Sequence, residues 1–257
     1  MKFLTLTFLL FLSNYIVSYD RIIGKDFATR SEVIATNGMA ATSHPLATQT
    51  AIDVLKDGGN AIDAAIAMSF VLPICEPQST GLFGDVFAMI KLGNSDSIIG
   101  LNGSGKAPMK ISSEVLRGKG LSKIPEDGVE SITMPGAIAA LESLNEKYSN
   151  FDLNQLTKPA INYATSGIVV SPRVAFDWNY SFKNLKGVAK DIYSDKGKPY
   201  SMGSIFTSPG QAEVLKKIAH KGAKGFYEGE VADDFITSLS KLGGDHSYDD
   251  LQAVSVE

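Results

Sequence analysis

The 257-residue chain carries 24 Lys and Arg against 28 Asp and Glu, a net charge of -4, with 44% hydrophobic and 20% charged residues. That balance, with no block of basic side chains, argues against a nucleic-acid binder and describes a globular chain with enough apolar residues for a core. Cys75 is the only cysteine, so no intrachain disulfide can form, and His44, His220 and His246 show no metal-ligand spacing with one another or with it.

Residues 1–18 read as a signal peptide: Lys2 is a minimal positive start, Phe3 to Leu12 an apolar run, and Ile16-Val17-Ser18 a plausible cleavage point. Ser13 and Asn14 interrupt the run, which is short for a membrane span. Export to the periplasm or the medium follows, with residues 19–257 as the mature chain and no membrane contact beyond the signal peptide. Residues 20–30 are polar and irregular, and 31–41, with Val33 and Ile34, suit a strand entering the fold.

Thr42-Ser43-His44-Pro45 offers hydroxyl caps and a proline near the first helical turn, Ala47, Ala51, Val54 and Leu55 recur at helical spacing, and Gly58-Gly59 stops the run. Asn60 with Asp63 caps a second helix, alanine-rich and small on nearly every side, which reads as central and ends at Pro73. Cys75, in Phe-Val-Leu-Pro-Ile-Cys, fits a small buried hydrophobe better than a nucleophile. Glu76-Pro-Gln-Ser-Thr-Gly-Leu-Phe-Gly84 is then a constrained loop, either a tight crossover or a set of backbone N–H groups aimed at an anion; its spacing is not that of a P-loop.

Residues 85–92 and 97–101 are strands, joined by turn chemistry at Gly93-Asn94-Ser95-Asp96 into a hairpin. Asn102 to Pro108 leaves the second strand as a polar rim, either a binding loop or a solvated connection. From Ile111 the chain turns mostly helical, with helices after Gly136 to about Tyr148 and over 153–165. Phe176, Trp178, Tyr180 and Phe182 alternate in a stripe that could form a stacking surface but, with a negative net charge, reads as a packed flap or edge. Ser208-Pro-Gly-Gln211 reads as a capping box for a helix over 212–220, residues 229–242 as a helix closed by Gly243-Gly244, and Ser247-Tyr-Asp-Asp250 as the start of one more turn.

Several of these stretches, in order, resemble the large-subunit half of the gamma-glutamyltranspeptidase family: Gly38-Met-Ala-Ala-Thr-Ser-His-Pro-Leu-Ala47, Leu55-Lys-Asp-Gly-Gly-Asn-Ala-Ile-Asp-Ala-Ala65 and Glu76-Pro-Gln-Ser-Thr-Gly81, supported by Ala107-Pro108, Met134-Pro-Gly136 and Gly225-Phe-Tyr-Glu-Gly229. The resemblance implies an α+β fold, one half of the four-layer αββα sandwich of N-terminal-nucleophile hydrolases. It implies an exported proenzyme that cuts itself in two, and whose small subunit begins with the nucleophilic threonine. That residue's own α-amine is the base, and acyl transfer to water or an amine follows. No cofactor or metal is implied; the expected partners are a gamma-glutamyl or acyl-amide substrate and a small subunit.

Two departures follow. No Thr-Thr pair occurs in the chain, so the autoprocessing site is expected beyond residue 257 and no catalytic residue is assigned within it. Family members acting on gamma-glutamyl compounds carry Leu-Asp-Gly-Arg, whose arginine clamps the substrate's α-carboxylate; here Leu101-Asn-Gly-Ser104 puts a serine there. Ser104, with Lys106 as a possible source of charge, is the expected substrate-binding pair. The competing reading is a non-catalytic remnant of the fold, or a binding partner of a separately encoded small subunit.

Overall fold

The computed structural model describes residues 33–93 and 95–257. The expected signal peptide lies outside the described residues. The chain divides into two compact units, Met1–Met39 and Ala40–Glu257, and the second holds every helix and strand among the described residues. The strand expected over 31–41 does not form across its described residues, 33–41: Val33 and Ile34 face solvent, and no strand among the described residues pairs with them.

Helix α1 (Pro45–Lys56) begins at the expected proline, but its cap is not a hydroxyl. The ring of His44 takes that place, with Nδ1 accepting the Leu46 N–H at 3.3 Å, while Thr42 Oγ1 donates to the His44 carbonyl at 2.7 Å. Helix α2 (Ala61–Cys75) starts in the capping box read from the sequence, Asn60 accepting from Ile62 and Asp63 while Asp63 accepts from the Asn60 N–H. It does not end at Pro73. Proline removes one helical hydrogen bond, but Phe70, Val71, Ile74 and Cys75 are fully buried, and that packing carries the helix two residues further.

The hairpin forms as expected: β1 (Val86–Lys91) pairs antiparallel with β2 (Ile98–Gly103), Val86 opposite Gly103 and Lys91 opposite Ile98. Val86, Ala88, Ile90 and Leu101 point inward against the core, and their neighbours along each strand point out. Then come α3 (Ser113–Gly118), α4 (Ala137–Tyr148), α5 (Leu153–Ser166), β3 (Ile168–Val169), α6 (Pro172–Phe182), α7 (Gly187–Ile192), β4 (Ile205–Phe206), α8 (Pro209–Lys221), α9 (Lys224–Tyr227), α10 (Glu230–Lys241) and α11 (Tyr248–Gln252). The described residues are thus a mixed helix-and-strand fold. The core runs through α1, α2, α5 and α8, with β1 and β2 laid on α4.

Two local expectations change. Ser208 makes no side-chain cap; it is buried, and its N–H donates to the Ala164 carbonyl at 2.8 Å, so Pro209 alone opens α8. The alternating aromatics lie on a helix, where residues two apart diverge. Trp178 is buried, donating from Nε1 to the Tyr193 carbonyl at 3.0 Å and meeting Phe206 edge-on at 4.9 Å, whereas Phe176 and Tyr180 face solvent.

Candidate functional site

The rim that follows β2 is pinned rather than free. Its glycines are there because backbone passes backbone: a Cβ on Gly105 would sit 1.5 Å from the Met134 carbonyl oxygen, and one on Gly136 would sit 2.2 Å from that of Gly103. The rim is therefore pressed on a corner, Met134-Pro135-Gly136, which opens α4. The Met134 N–H donates to the Lys106 carbonyl at 2.9 Å, and the N–H groups of Gly136 and Ala137 donate to Gly84 at 3.1 and 2.9 Å. The Gly105 N–H donates to Asp85 Oδ1 at 2.7 Å, tying the rim to the start of β1.

Of the two expected site residues, Ser104 is half-buried at the head of this loop, its N–H held by Asn102 Oδ1 at 3.0 Å. Lys106 is exposed, and its Nζ donates to Ser255 Oγ at 3.3 Å. Beside it, Asn102 and Glu257 exchange both backbone hydrogen bonds, at 2.7 and 3.0 Å, which sets Glu257 against the edge of β2 as an antiparallel neighbour.

Three anchors escaped the sequence reading. Asp85 is the first. Asp250 is the second: buried, it accepts the Met109 N–H at 2.7 Å and both the N–H and hydroxyl of Ser247, at 2.9 and 2.6 Å. Burial pushes its carboxyl up, but these hydrogen bonds outweigh that and hold it below the usual range. Tyr227 is the third, donating to the Pro135 carbonyl at 2.7 Å and accepting the Ala139 N–H at 3.1 Å. Burial raises its phenol well above the ordinary value, so it remains a donor throughout the working pH range. All three sat inside stretches already named, 85–92, 225–229 and 247–250; nothing in the sequence paired them with the rim.

The Glu76–Gly84 loop begins in a buried polar corner. Ser43 Oγ donates to Glu76 Oε2 at 2.6 Å, and Glu76 and His44 are both buried. Because His44 Nδ1 is an acceptor, the neutral ring carries its proton on Nε2. Burial lowers its pKa, against the pull of Glu76. Cys75 is also buried there, and burial, with Glu76 adding, pushes its thiol up to about 12. That suits the packing role read from the sequence and not a nucleophile. Among the described residues no group of three His, Cys, Asp or Glu side chains is arranged to hold a metal, and no helix is long and apolar enough to cross a membrane.

The family described as gamma-glutamyltranspeptidase matches residues 47–257. The glutathione hydrolase-like YwrD proenzyme of Bacillus subtilis is 34% identical over 227 residues, covering 86% of this chain and 42% of that protein. Among solved structures, the gamma-glutamyltranspeptidase of Helicobacter pylori is 33% identical with a TM-score of 0.84 over 88% of this chain and 66% of that one. The cephalosporin acylase of Bacillus halodurans is 36% identical, also with a TM-score of 0.84, over 93% of this chain and 46% of that one. The chain spans about two fifths of the length of the curated relatives it matches.

Proposed function

The chain belongs to the gamma-glutamyltranspeptidase family, and from that premise we propose that it supplies the large-subunit portion of a glutathione hydrolase-like proenzyme. A small subunit completes it, and together they transfer an acyl group from an amide to water or an amine. The observation that carries this reading is the unbroken family match over residues 47–257, laid over a sheet whose outer face is bare. Phe87, Met89 and Ile98 on that face are 69, 80 and 61% exposed, while the inner face rests on helices. A helix-backed sheet with an apolar outer face supports the αββα reading, in which a second sheet covers it.

The nucleophile is the threonine that opens the small subunit. Its α-amine takes the hydroxyl proton, the oxygen attacks the acyl carbon and the amine leaves; water or an acceptor amine then resolves the acyl-enzyme. This chain's part is the acyl-binding rim. Ser104 stands where a guanidinium would clamp the α-carboxylate, and a neutral hydroxyl in place of a bidentate charged pair weakens that contact by about 1–3 kcal/mol. Lys106 offers only a point charge on a flexible stem, already turned to Ser255. The substrate is therefore an acyl amide that does not depend on an α-carboxylate, such as a glutaryl amide. Residues 1–18 direct the proenzyme out of the cytoplasm.

The test is anilide release by the protein purified whole from its host, with glutaryl and gamma-glutamyl anilides side by side. Similar KM values for the two are expected. A gamma-glutamyl KM lower by about tenfold or more would show that the α-carboxylate is firmly held and refute the substrate assignment.

A further inference from the structure

The rim that carries Ser104 and Lys106 has no hydrogen bond of its own to Tyr227, yet the contacts lead there. Rim and corner share the Met134 N–H to Lys106 carbonyl bond and the backbone contact that only glycine permits at position 105. The corner opens α4, whose N-cap, Gly136, has no side chain with which to satisfy the first turn. Gly84 takes the Gly136 and Ala137 N–H groups, and the Tyr227 hydroxyl takes that of Ala139 while donating to Pro135 within the corner itself. One hydroxyl thus spans the corner and the first turn of the helix behind it. Its ring is fixed by Phe226, edge-on at 5.1 Å, and Phe226 by Phe83 at 4.6 Å, one residue before Gly84. The side chain of Met134 is buried with Ala232, Ile236 and Leu251, and the Tyr227 ring packs against that cluster as well.

We propose that Tyr227 is a positioning residue for acyl recognition: through its two hydrogen bonds it sets the height and angle of the Met134–Gly136 corner, and so the place of the rim at Ser104. This rests on the acyl-transfer reading above, but its first readout does not. A tyrosine that only filled space would leave the rim where it is when the oxygen is removed.

The experiment measures amide hydrogen exchange on the native protein, isolated with any partner subunit it carries, for wild type, Tyr227→Phe and Gly105→Ala. Phenylalanine keeps the ring and loses both hydrogen bonds; alanine at 105 lifts the rim from the other side without touching α4. In both variants the Met134 and Gly105 amides should exchange at least about tenfold faster, with the α5 and α8 core unchanged; Ala139 should quicken only in Tyr227→Phe. The proposal is overturned if Tyr227→Phe quickens Ala139 alone, if the change spreads evenly through the chain, or if nothing changes while Gly105→Ala still frees the rim. With wild-type turnover in hand, Tyr227→Phe should raise KM for the acyl substrate about tenfold and move kcat by less than about threefold. The opposite split also overturns it. A wild type without turnover refutes the proposed reaction instead and leaves the exchange result to decide the role of Tyr227.

Discussion

Asp63 is fully buried, and its partners among the described residues are backbone N–H groups rather than a cation. Oδ2 accepts from Asn60 at 2.7 Å, and the Asn150 and Phe151 N–H groups reach the carboxylate at 3.1 Å. The carboxylate therefore joins the start of α2 to the turn between α4 and α5. An asparagine at this position would have one acceptor oxygen and one NH2. With the oxygen toward Asn150 and Phe151, the NH2 faces the Asn60 N–H, leaving two buried donors without acceptors; the reverse placement orphans more. An unsatisfied buried group costs about 1–3 kcal/mol, so Asp63→Asn should lose roughly 3 kcal/mol. In a protein of this size that lowers Tm by about 6–12 °C. The control is Asp152→Asn: an exposed cap that accepts from Gln155 at 2.8 Å, where asparagine serves as well and the change should stay within about 0.5 kcal/mol. Thermal unfolding followed by circular dichroism reads both. A Tm for Asp63→Asn within about 2 °C of wild type would refute the reasoning, because two buried N–H donors would then have been left facing each other at no cost.

In the active protein, Ser104→Arg should lower KM for a gamma-glutamyl substrate by about 10- to 100-fold relative to a glutaryl analogue, a recovered charge-assisted pair; if wild type already discriminates strongly, Lys106→Ala identifies the residue responsible. Cys75 is buried and its thiol is pushed up to about 12, so a thiol reagent should leave Cys75 unlabelled in native protein and label it in denaturant. His44 has a folded-state pKa depressed by burial below its ordinary 6.5. The unfolded chain thus takes up the proton first, and the stability contributed by His44 is present above pH 6.5 and lost as pH falls toward the folded value. His44→Asn retains a capping acceptor, so its Tm should fall less than that of wild type between pH about 7.5 and about 5; parallel curves would refute the assignment.

What the sequence made legible was local. Asn60 and Asp63 lie three residues apart, and their box forms as read; the hairpin turn and the glycine stop after α1 are equally short-range. Where a local signal competed with packing, packing prevailed: Pro73 lies inside α2 because Ile74 and Cys75 are buried. Ser208, although a good cap by type, is drawn to Ala164 instead. The motifs of the rim and corner were visible as separate stretches, but their joining was not. Tyr227 meets Pro135 across 92 residues and Asp250 meets Met109 across 141, and no periodicity or spacing rule reaches so far. The placement of Ser104 rests on a resemblance, because nothing in the physics of the loop singles out that position.

The central claim is that this chain is one portion of a two-subunit acyl-transfer enzyme whose nucleophile is the first residue of the other portion. Mass spectrometry of the protein purified from its host after brief reaction with a glutaryl anilide tests it most directly. The account predicts two polypeptides, the smaller beginning with threonine and carrying the acyl mass on that residue, and the larger containing residues 47–257 unmodified. A single uncut polypeptide, or an acyl group on any residue of this chain, would contradict it.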